Sequence, residues 1–190
     1  NIGAGSAGDS TFLLAEAVKQ GAKSWLQTVR DPEAIVVCLE AGIGSTVTLE
    51  IGGKTDSLHG DRVRMTGRIT RISDGRFEDT GPVHAGWRFF DAGTTVVLET
   101  EEGPTVALVT TRVGNMSREQ FYSLGYRPEE FDIVVAKGVV SPRPAYQPIA
   151  SEMISVNTPG TTSGDMSTFE YMHVRKSLYP LERDAKYGLL

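Results

Sequence analysis

The first fifty residues alternate between helical and extended segments, and this alternation restricts the fold more than any other feature of the sequence. The predicted segments are a helix over 12–20, a strand over 25–29, a helix that starts at Asp31-Pro32 and a strand over 46–51. Asp9 or Ser10 is the expected cap of the first helix, and Gly21 is its expected end. Helix, strand, helix and strand in succession are typical of an α/β layer.

From Gly52 onward the period of the apolar residues changes to two, which predicts antiparallel strands. Residues 63–72 alternate apolar with cationic or hydroxyl residues, and the Asp74-Gly75 turn predicts a hairpin with residues 76–78. A second hairpin is predicted between residues 95–99 and 105–110. This part of the chain therefore adds a half-exposed antiparallel sheet.

The remaining third contains weaker signals. Ser117 to Gln120 forms a capping-box pattern that predicts a short helix, and the apolar run 131–136 predicts a strand covered on both faces. Further on, the frequent prolines predict ordered loops, one short helix around 146–154 and an edge strand over 171–179. We expect residues 1–190 to form a single α/β (α+β mixed) domain, with a mixed β-sheet, antiparallel hairpins and three to four short helices.

Composition excludes several classes of partner. The 190 residues carry a net charge of −5, which gives no electrostatic reason to expect nucleic acid or an anionic membrane. No apolar stretch reaches the roughly 18 residues of a membrane span, so we expect a soluble domain. The single cysteine, Cys38, lies in an apolar run and is interpreted as a buried structural thiol. The compartment stays open, with the cytoplasm preferred to secretion.

The stretch Asn1–Thr11 is the strongest candidate for a binding site. Its glycines, Gly5 and Gly8 among them, allow the backbone to approach a ligand closely, and Asp9, Ser10 and Thr11 stand at a helix start, where free N–H groups bind anions. Although the glycines match G-x-G-x-x-G, a dinucleotide site requires a strand before them, and only two residues precede the first glycine. The alternative is a simple helix cap.

A second candidate follows the apolar run 131–136. Lys137 stands at the carboxyl end of a predicted strand, where open α/β sheets bind ligands, and Arg143 and Tyr146 follow within nine residues. These side chains form a plausible clamp for a carboxylate or phosphate. The alternative is a salt-bridged structural lysine and a surface arginine.

The sequence does not favour a metal site or a nucleophilic serine in this chain. His59, His84 and His173 are far apart and share no ligand spacing, so no zinc site is proposed within the chain. The stretch around Ser6 matches G-x-S-x-G only approximately, no strand leads into it, and no following Asp and His pair is evident.

Five motifs give the chain a resemblance to a known family, the C-terminal domain of the MlrC-like metallopeptidases, the microcystinase C group. The motifs are Asn1–Thr11, Arg30–Ala34, Gly52–Gly60, Lys137–Ile149 and Val156–Gly160. They fall in the family's order at about the expected separations, and the resemblance covers nearly the whole chain.

The resemblance implies that this domain is one part of a longer protein. In that family a larger N-terminal domain holds the zinc ligands and the catalytic acid, and the enzymes hydrolyse linearised microcystin and other small peptides. The implied partners are thus that N-terminal domain and a small peptide, the implied cofactor is zinc bound outside this chain, and the isolated chain is expected to be inactive. Some relatives have His where this chain has Ser141, so no acid or base role is carried over to that position.

Two other functions remain open from the sequence. One is a non-catalytic interaction or oligomerisation domain, including a homo-oligomer, and the other is a small anion-binding module. Under the resemblance, the binding residues would be Gly5, Gly8, Asp9, Ser10, Thr11, Lys137, Arg143 and Tyr146.

Overall fold

The computed structural model describes residues 5–175 and 178–185. Its main feature is a six-stranded mixed sheet whose strands lie in the order β2-β3-β6-β7-β1-β8. The strands of this sheet are β1 (Trp25–Arg30), β2 (Thr46–Ile51), β3 (Val63–Ser73), β6 (Thr95–Thr100), β7 (Thr105–Val109) and β8 (Ile133–Val135). β1 pairs in parallel with both β7 and β8, whereas the other neighbours are antiparallel. A second sheet consists of β4 (Arg76–Glu78) and β5 (Phe89–Asp91).

Helices cover both faces of the large sheet. The four α-helices are α1 (Phe12–Gln20), α2 (Pro32–Ala41), α3 (Glu119–Tyr122) and α4 (Arg143–Tyr146), and short 3₁₀ turns lie at His84–Gly86, Pro128–Glu130 and Met166–Thr168. The residues of β7 alternate between two cores, because successive side chains of a strand point to opposite faces. Val106 and Leu108 pack with α1 and α2, whereas Ala107 packs with α3 and α4. These helices and the mixed sheet confirm the predicted fold class.

The first two helices form where the sequence places them. α1 ends at Gly21, which adopts a left-handed conformation with φ 70°. The Asp31 carboxylate accepts a hydrogen bond from the Ala34 amide and caps α2, as expected for Asp before Pro. The predicted cap of α1 is wrong, since Thr11 occupies the N-cap position and its side chain makes no cap hydrogen bond.

Two strand predictions are wrong, one in the partner of the strand and the other in its burial. Residues 76–78 pair with β5 and not with β3, because β3 already has β2 and β6 as neighbours. β8 is the last strand of its sheet, and Ile133 is 45% exposed, so this strand is not covered on both faces. The hairpin of β6 and β7 is confirmed.

The later elements differ more from prediction. The prediction of a helix around 146–154 is wrong in its position: the helix here is α4, Arg143–Tyr146, where a proline in the first turn suits helical geometry, and residues 147–154 form no helix. At α3, Ser117 accepts a hydrogen bond from the Glu119 amide, but the Gln120 side chain bonds to Asn115 and no capping box forms. No strand forms at 171–175 or 178–179, and residues 176–177 of that predicted strand lie outside the described residues.

Cys38 is fully buried, as predicted, and burial raises the pKa of its thiol to about 11. In the part of the chain that the structure describes, no helix is long and apolar enough to cross a membrane.

Candidate functional site

The opening loop and the end of β8 meet at one edge of the sheet. Nζ of Lys137 donates to the carbonyl oxygens of Gly8, at 3.0 Å, and of Ser10, at 3.3 Å. The Gly8 carbonyl also accepts from the Arg30 amide at the carboxyl end of β1. Because β1 and β8 are parallel neighbours, their carboxyl ends lie side by side, and the loop crosses both. This is the position at which α/β sheets bind ligands.

A cavity of about 1120 Å³ opens beside this junction. Five of the eight predicted binding residues line it, namely Gly8, Ser10, Lys137, Arg143 and Tyr146. Leu13, Trp25 and several side chains between Pro128 and Val156 form its apolar wall. The structure thus brings the opening loop and the Lys137–Tyr146 segment, which are more than 120 residues apart in the sequence, to one cavity.

The polar groups of the cavity differ in what they already bind. The Arg143 side chain is exposed, and within the described ranges its guanidinium makes no hydrogen bond or ion pair. The Tyr146 hydroxyl donates to the Ser117 carbonyl at 3.3 Å, and burial raises the pKa of Tyr146. Arg143 is therefore the cation that is available to a ligand, whereas Tyr146 forms part of the wall.

Lys137 has both a structural and an electrostatic role. An ammonium group has three N–H donors, and two of them are used by the loop carbonyls. Burial lowers the pKa of Lys137 to about 8, although the nearby charge of Asp9 raises it. The Lys137 amide donates to Oδ1 of Asn115, a fully buried residue that the sequence analysis did not identify. Asn115 therefore fixes the backbone that carries the lysine.

Asp9 and Thr11 do not line the cavity, because they connect the opening loop to the segment 52–61. Oδ2 of Asp9 accepts from the amides of Lys54, at 3.0 Å, and Thr55, at 2.9 Å. Burial alone would raise the pKa of Asp9, but these hydrogen bonds outweigh it and the pKa is lowered. The Thr11 hydroxyl donates to the Asp61 carbonyl at 2.6 Å. Both side chains therefore stabilise the opening loop through hydrogen bonds to the segment 52–61.

Close contacts explain why residues 53 and 60 of the segment 52–61 are glycines. A Cβ on Gly53 would lie 2.4 Å from the Gly60 carbonyl oxygen, and a Cβ on Gly60 would lie 2.6 Å from the Thr11 hydroxyl. Both glycines also have positive φ, +58° and +84°. Residue 53 therefore packs against the backbone of its own segment and residue 60 packs against Thr11, without room for a side chain at either position.

A buried ion pair attaches the same segment to α2. Nζ of Lys54 lies 2.8 Å from Oδ1 of Asp31, whose side chain has no solvent exposure, and the Gly52 amide donates to Oδ2. Every oxygen of this carboxylate has a partner, as a buried charge requires. Gly5 lies at the outer end of the loop, where its carbonyl accepts from Arg112 at 3.3 Å. The first four residues of the predicted loop lie outside the described residues.

The residues that the structure describes contain no group of three or more His, Cys, Asp or Glu side chains arranged to hold a metal ion. His59 is buried beside the opening loop, whereas His84 and His173 are exposed.

Comparison with known proteins assigns the chain to a family. The model of the family described as MlrC C-terminus matches residues 1–173. A crystal structure at 2.13 Å resolution of a protein from Mesorhizobium sp. BNC1, named "putative metallopeptidase", superimposes with a TM-score of 0.75 at 26% identity. The match covers 92% of this chain and 35% of that protein, so the chain spans about a third of its relative. No curated protein matches the chain. The chain belongs to the MlrC C-terminus family.

Proposed function

We propose that this chain is the substrate-binding, C-terminal domain of a zinc-dependent peptidase that acts on linear microcystin-like or other small peptides. The cavity beside the opening loop is the observation that supports the proposal, since it combines an apolar wall with the guanidinium of Arg143, which has no hydrogen bond or ion pair within the described residues. The name of the Mesorhizobium relative supports a peptidase, and the family supports an N-terminal domain in the same protein.

The charges at the cavity favour a peptide over a simple anion. Arg143 lines it together with four exposed acidic residues, Glu129, Asp132, Glu152 and Asp165. Glu129 pairs with Arg118 and Asp165 accepts from Ser167, whereas the carboxylates of Asp132 and Glu152 have no such partner among the described residues. A short peptide carries both a carboxylate and an ammonium group, and each finds an opposite charge here. Phosphate has no cationic group for the acidic residues. In this proposal Arg143 holds the peptide carboxylate. Lys137 keeps the opening loop in place with two of its N–H donors and can donate the third to the peptide.

Zinc does not fit the described residues of this chain, which offer no cluster of metal ligands. We assign the metal to the N-terminal domain and derive no step through it. The contribution of this chain is to bind and orient the peptide, which lowers the entropic barrier to its hydrolysis.

The test compares the isolated chain with the two-domain protein on a linear peptide, with and without zinc. Only the two-domain protein with zinc should hydrolyse the peptide, while circular dichroism verifies that the isolated chain is folded. Hydrolysis by the isolated chain would contradict the proposal.

A second candidate function, an interaction domain, is favoured by one specific surface. Val36 and Leu39 on α2 and Ile43 just after it are 54%, 46% and 63% exposed. Val36 and Leu39 are three residues apart on α2, so they lie on one helix face and form an apolar stripe there. If a second copy of the chain covers this stripe, replacing Val36 and Leu39 by Ser should convert a dimer to a monomer in sedimentation experiments. A monomeric wild-type protein would contradict this candidate.

A further inference from the structure

Three polar side chains from distant parts of the sequence form a hydrogen-bonded chain beside the cavity. Nδ1 of His59 lies 2.7 Å from Oδ1 of Asp56, and Nε2 of the same ring lies 3.4 Å from Oγ of Ser6. A carboxylate, an imidazole and a hydroxyl in this order are the three groups of a serine nucleophile and its base. The site described above does not use the side chains of these three residues.

The hydrogen bonds determine how the imidazole is protonated. The Leu58 amide and His59 both bond to the Asp56 side chain and lower the pKa of its carboxyl, which therefore acts as an acceptor. Nδ1 of His59 must then carry a proton and donate it. In the neutral ring Nε2 is left with a lone pair that faces the Ser6 hydroxyl, which is the arrangement of a general base.

Burial and loop geometry keep the hydroxyl and the ring together. His59 is 1% exposed, and the backbone at Gly160 covers Nε2 closely enough that a Cβ there would lie 3.7 Å away. Ser6 is 7% exposed and lines the cavity, whereas His59 lies behind it. The loop is fixed on either side of Ser6, by Arg112 at Gly5 and by Lys137 at Gly8. The separation of 3.4 Å is longer than in an active complex, as is common without a ligand.

We propose that Ser6 is a nucleophilic serine, activated by His59 and Asp56, that accepts the acyl group of a short ester bound in the cavity. A bond forms between Oγ of Ser6 and the carbonyl carbon, and the hydroxyl proton passes to Nε2 of His59. The C–O bond of the ester then breaks, and the alcohol leaves with that proton. Water hydrolyses the acyl-serine to a carboxylic acid and restores the hydroxyl.

The test is covalent labelling of the full-length protein with a fluorophosphonate probe, followed by mass spectrometry of the peptides. Oγ of Ser6 should attack phosphorus while fluoride leaves and His59 takes the proton. We expect an adduct on Ser6 and none on Ser57, which is exposed but has no imidazole partner among the described residues. His59→Gln should slow the labelling of Ser6 by at least about 100-fold, the usual contribution of a general base.

Two variants keep the test decisive. Asp56→Asn leaves the imidazole of His59 in place but removes the charge that orients it, so labelling of Ser6 should slow at least tenfold. If His59→Gln does not fold, Asp56→Asn takes its place in the test. Ser45→Ala, at a serine whose hydroxyl donates to the Ala41 carbonyl, should label at the wild-type rate. Absence of an adduct on Ser6, or an equal labelling rate in folded His59→Gln or Asp56→Asn, would overturn the proposal. Peptide hydrolysis is measured in a separate experiment, so the labelling result neither supports nor contradicts the proposed peptidase function.

Discussion

The ammonium of Lys137 lies 3.0 Å from the carbonyl oxygen of Gly8, a residue 129 positions earlier in the chain. The residue that holds the opening loop therefore lies just after β8, the last strand of the sheet. It holds the loop through a cation that burial disfavours. Its pKa falls from the ordinary 10.5 to about 8.

This shift predicts a specific pH dependence of stability. Between pH 8 and 10.5 the unfolded protein binds more protons at Lys137 than the folded protein does, so the contribution of Lys137 to stability rises with pH in this window. The free energy of unfolding of wild type, relative to Lys137→Met, should increase by up to roughly 3 kcal/mol over that range. Urea denaturation at several pH values measures it. Lys19→Met, at an exposed lysine, should show no such trend, and a flat difference for Lys137→Met would contradict the prediction.

Gly53→Ala should destabilise the fold through a backbone overlap. Gly44 is the matched control, because its φ is also positive, +88°, but a Cβ there meets nothing within 4 Å. Gly44→Ala should cost about 1–2 kcal/mol for the left-handed conformation alone. Gly53→Ala should cost about 1–3 kcal/mol more, because its Cβ would lie 2.4 Å from the Gly60 carbonyl oxygen. Thermal and urea denaturation measure both, and equal losses would show that Gly53 does not contact the Gly60 backbone as described.

Asp31→Ala should be among the most destabilising single substitutions at this edge of the sheet. It removes the cap of α2, the partner of the Gly52 amide and the partner of Lys54, for an expected loss of about 3–5 kcal/mol. Glu33→Ala is the control, since Glu33 also pairs with Lys54, at 3.7 Å, but its side chain is 76% exposed. That loss should stay below about 1 kcal/mol. Similar losses for the two variants in urea denaturation would contradict the role given to Asp31.

Arg143→Ala should remove the preference for a peptide carboxylate. In the two-domain protein, amidation of the C-terminus of a short peptide should weaken binding about 10- to 100-fold, the value of a charge-assisted hydrogen bond. In Arg143→Ala the acid and the amide should bind equally, as titration calorimetry can measure. Arg76→Ala, on the separate hairpin where Arg76 pairs with Asp91, should keep the wild-type preference. If Arg143→Ala still discriminates acid from amide, Arg143 is not the carboxylate anchor.

Local signals predicted the fold where the structure depends on local chemistry. The Asp31-Pro32 start and the Gly21 stop act through the backbone of their own helices, and both helices form there. Pairing is not local, so the Asp74-Gly75 turn predicted a reversal of the chain but not the partner of residues 76–78. That partner is β5, where Phe77 stacks on Phe90 with ring centroids 4.8 Å apart.

The sequence predicted which cations and which loop form the candidate site, but not which distant side chains contact one another there. Lys137 follows a strand and the glycines precede a helix, and both positions have general physical reasons to bind anions. In contrast, the pattern gave no reason to connect His59 with Ser6, since 53 residues separate them and neither motif is complete. The apolar residues Tyr171, Met172 and Val174 are exposed, so they supply no buried face that would favour a strand there.

Most of the cavity wall comes from one continuous stretch, residues 128–165, which also carries Lys137. The segment 52–61 supplies other groups that hold the opening loop, the amides of Lys54 and Thr55 among them. Within that stretch the only strand is Ile133–Val135, and the only α-helix is Arg143–Tyr146. Insertions and deletions in irregular segments disturb the core little. If the cavity binds the substrate as proposed, exchange of this one stretch should change the substrate preference, provided that Lys137 is kept to hold the opening loop.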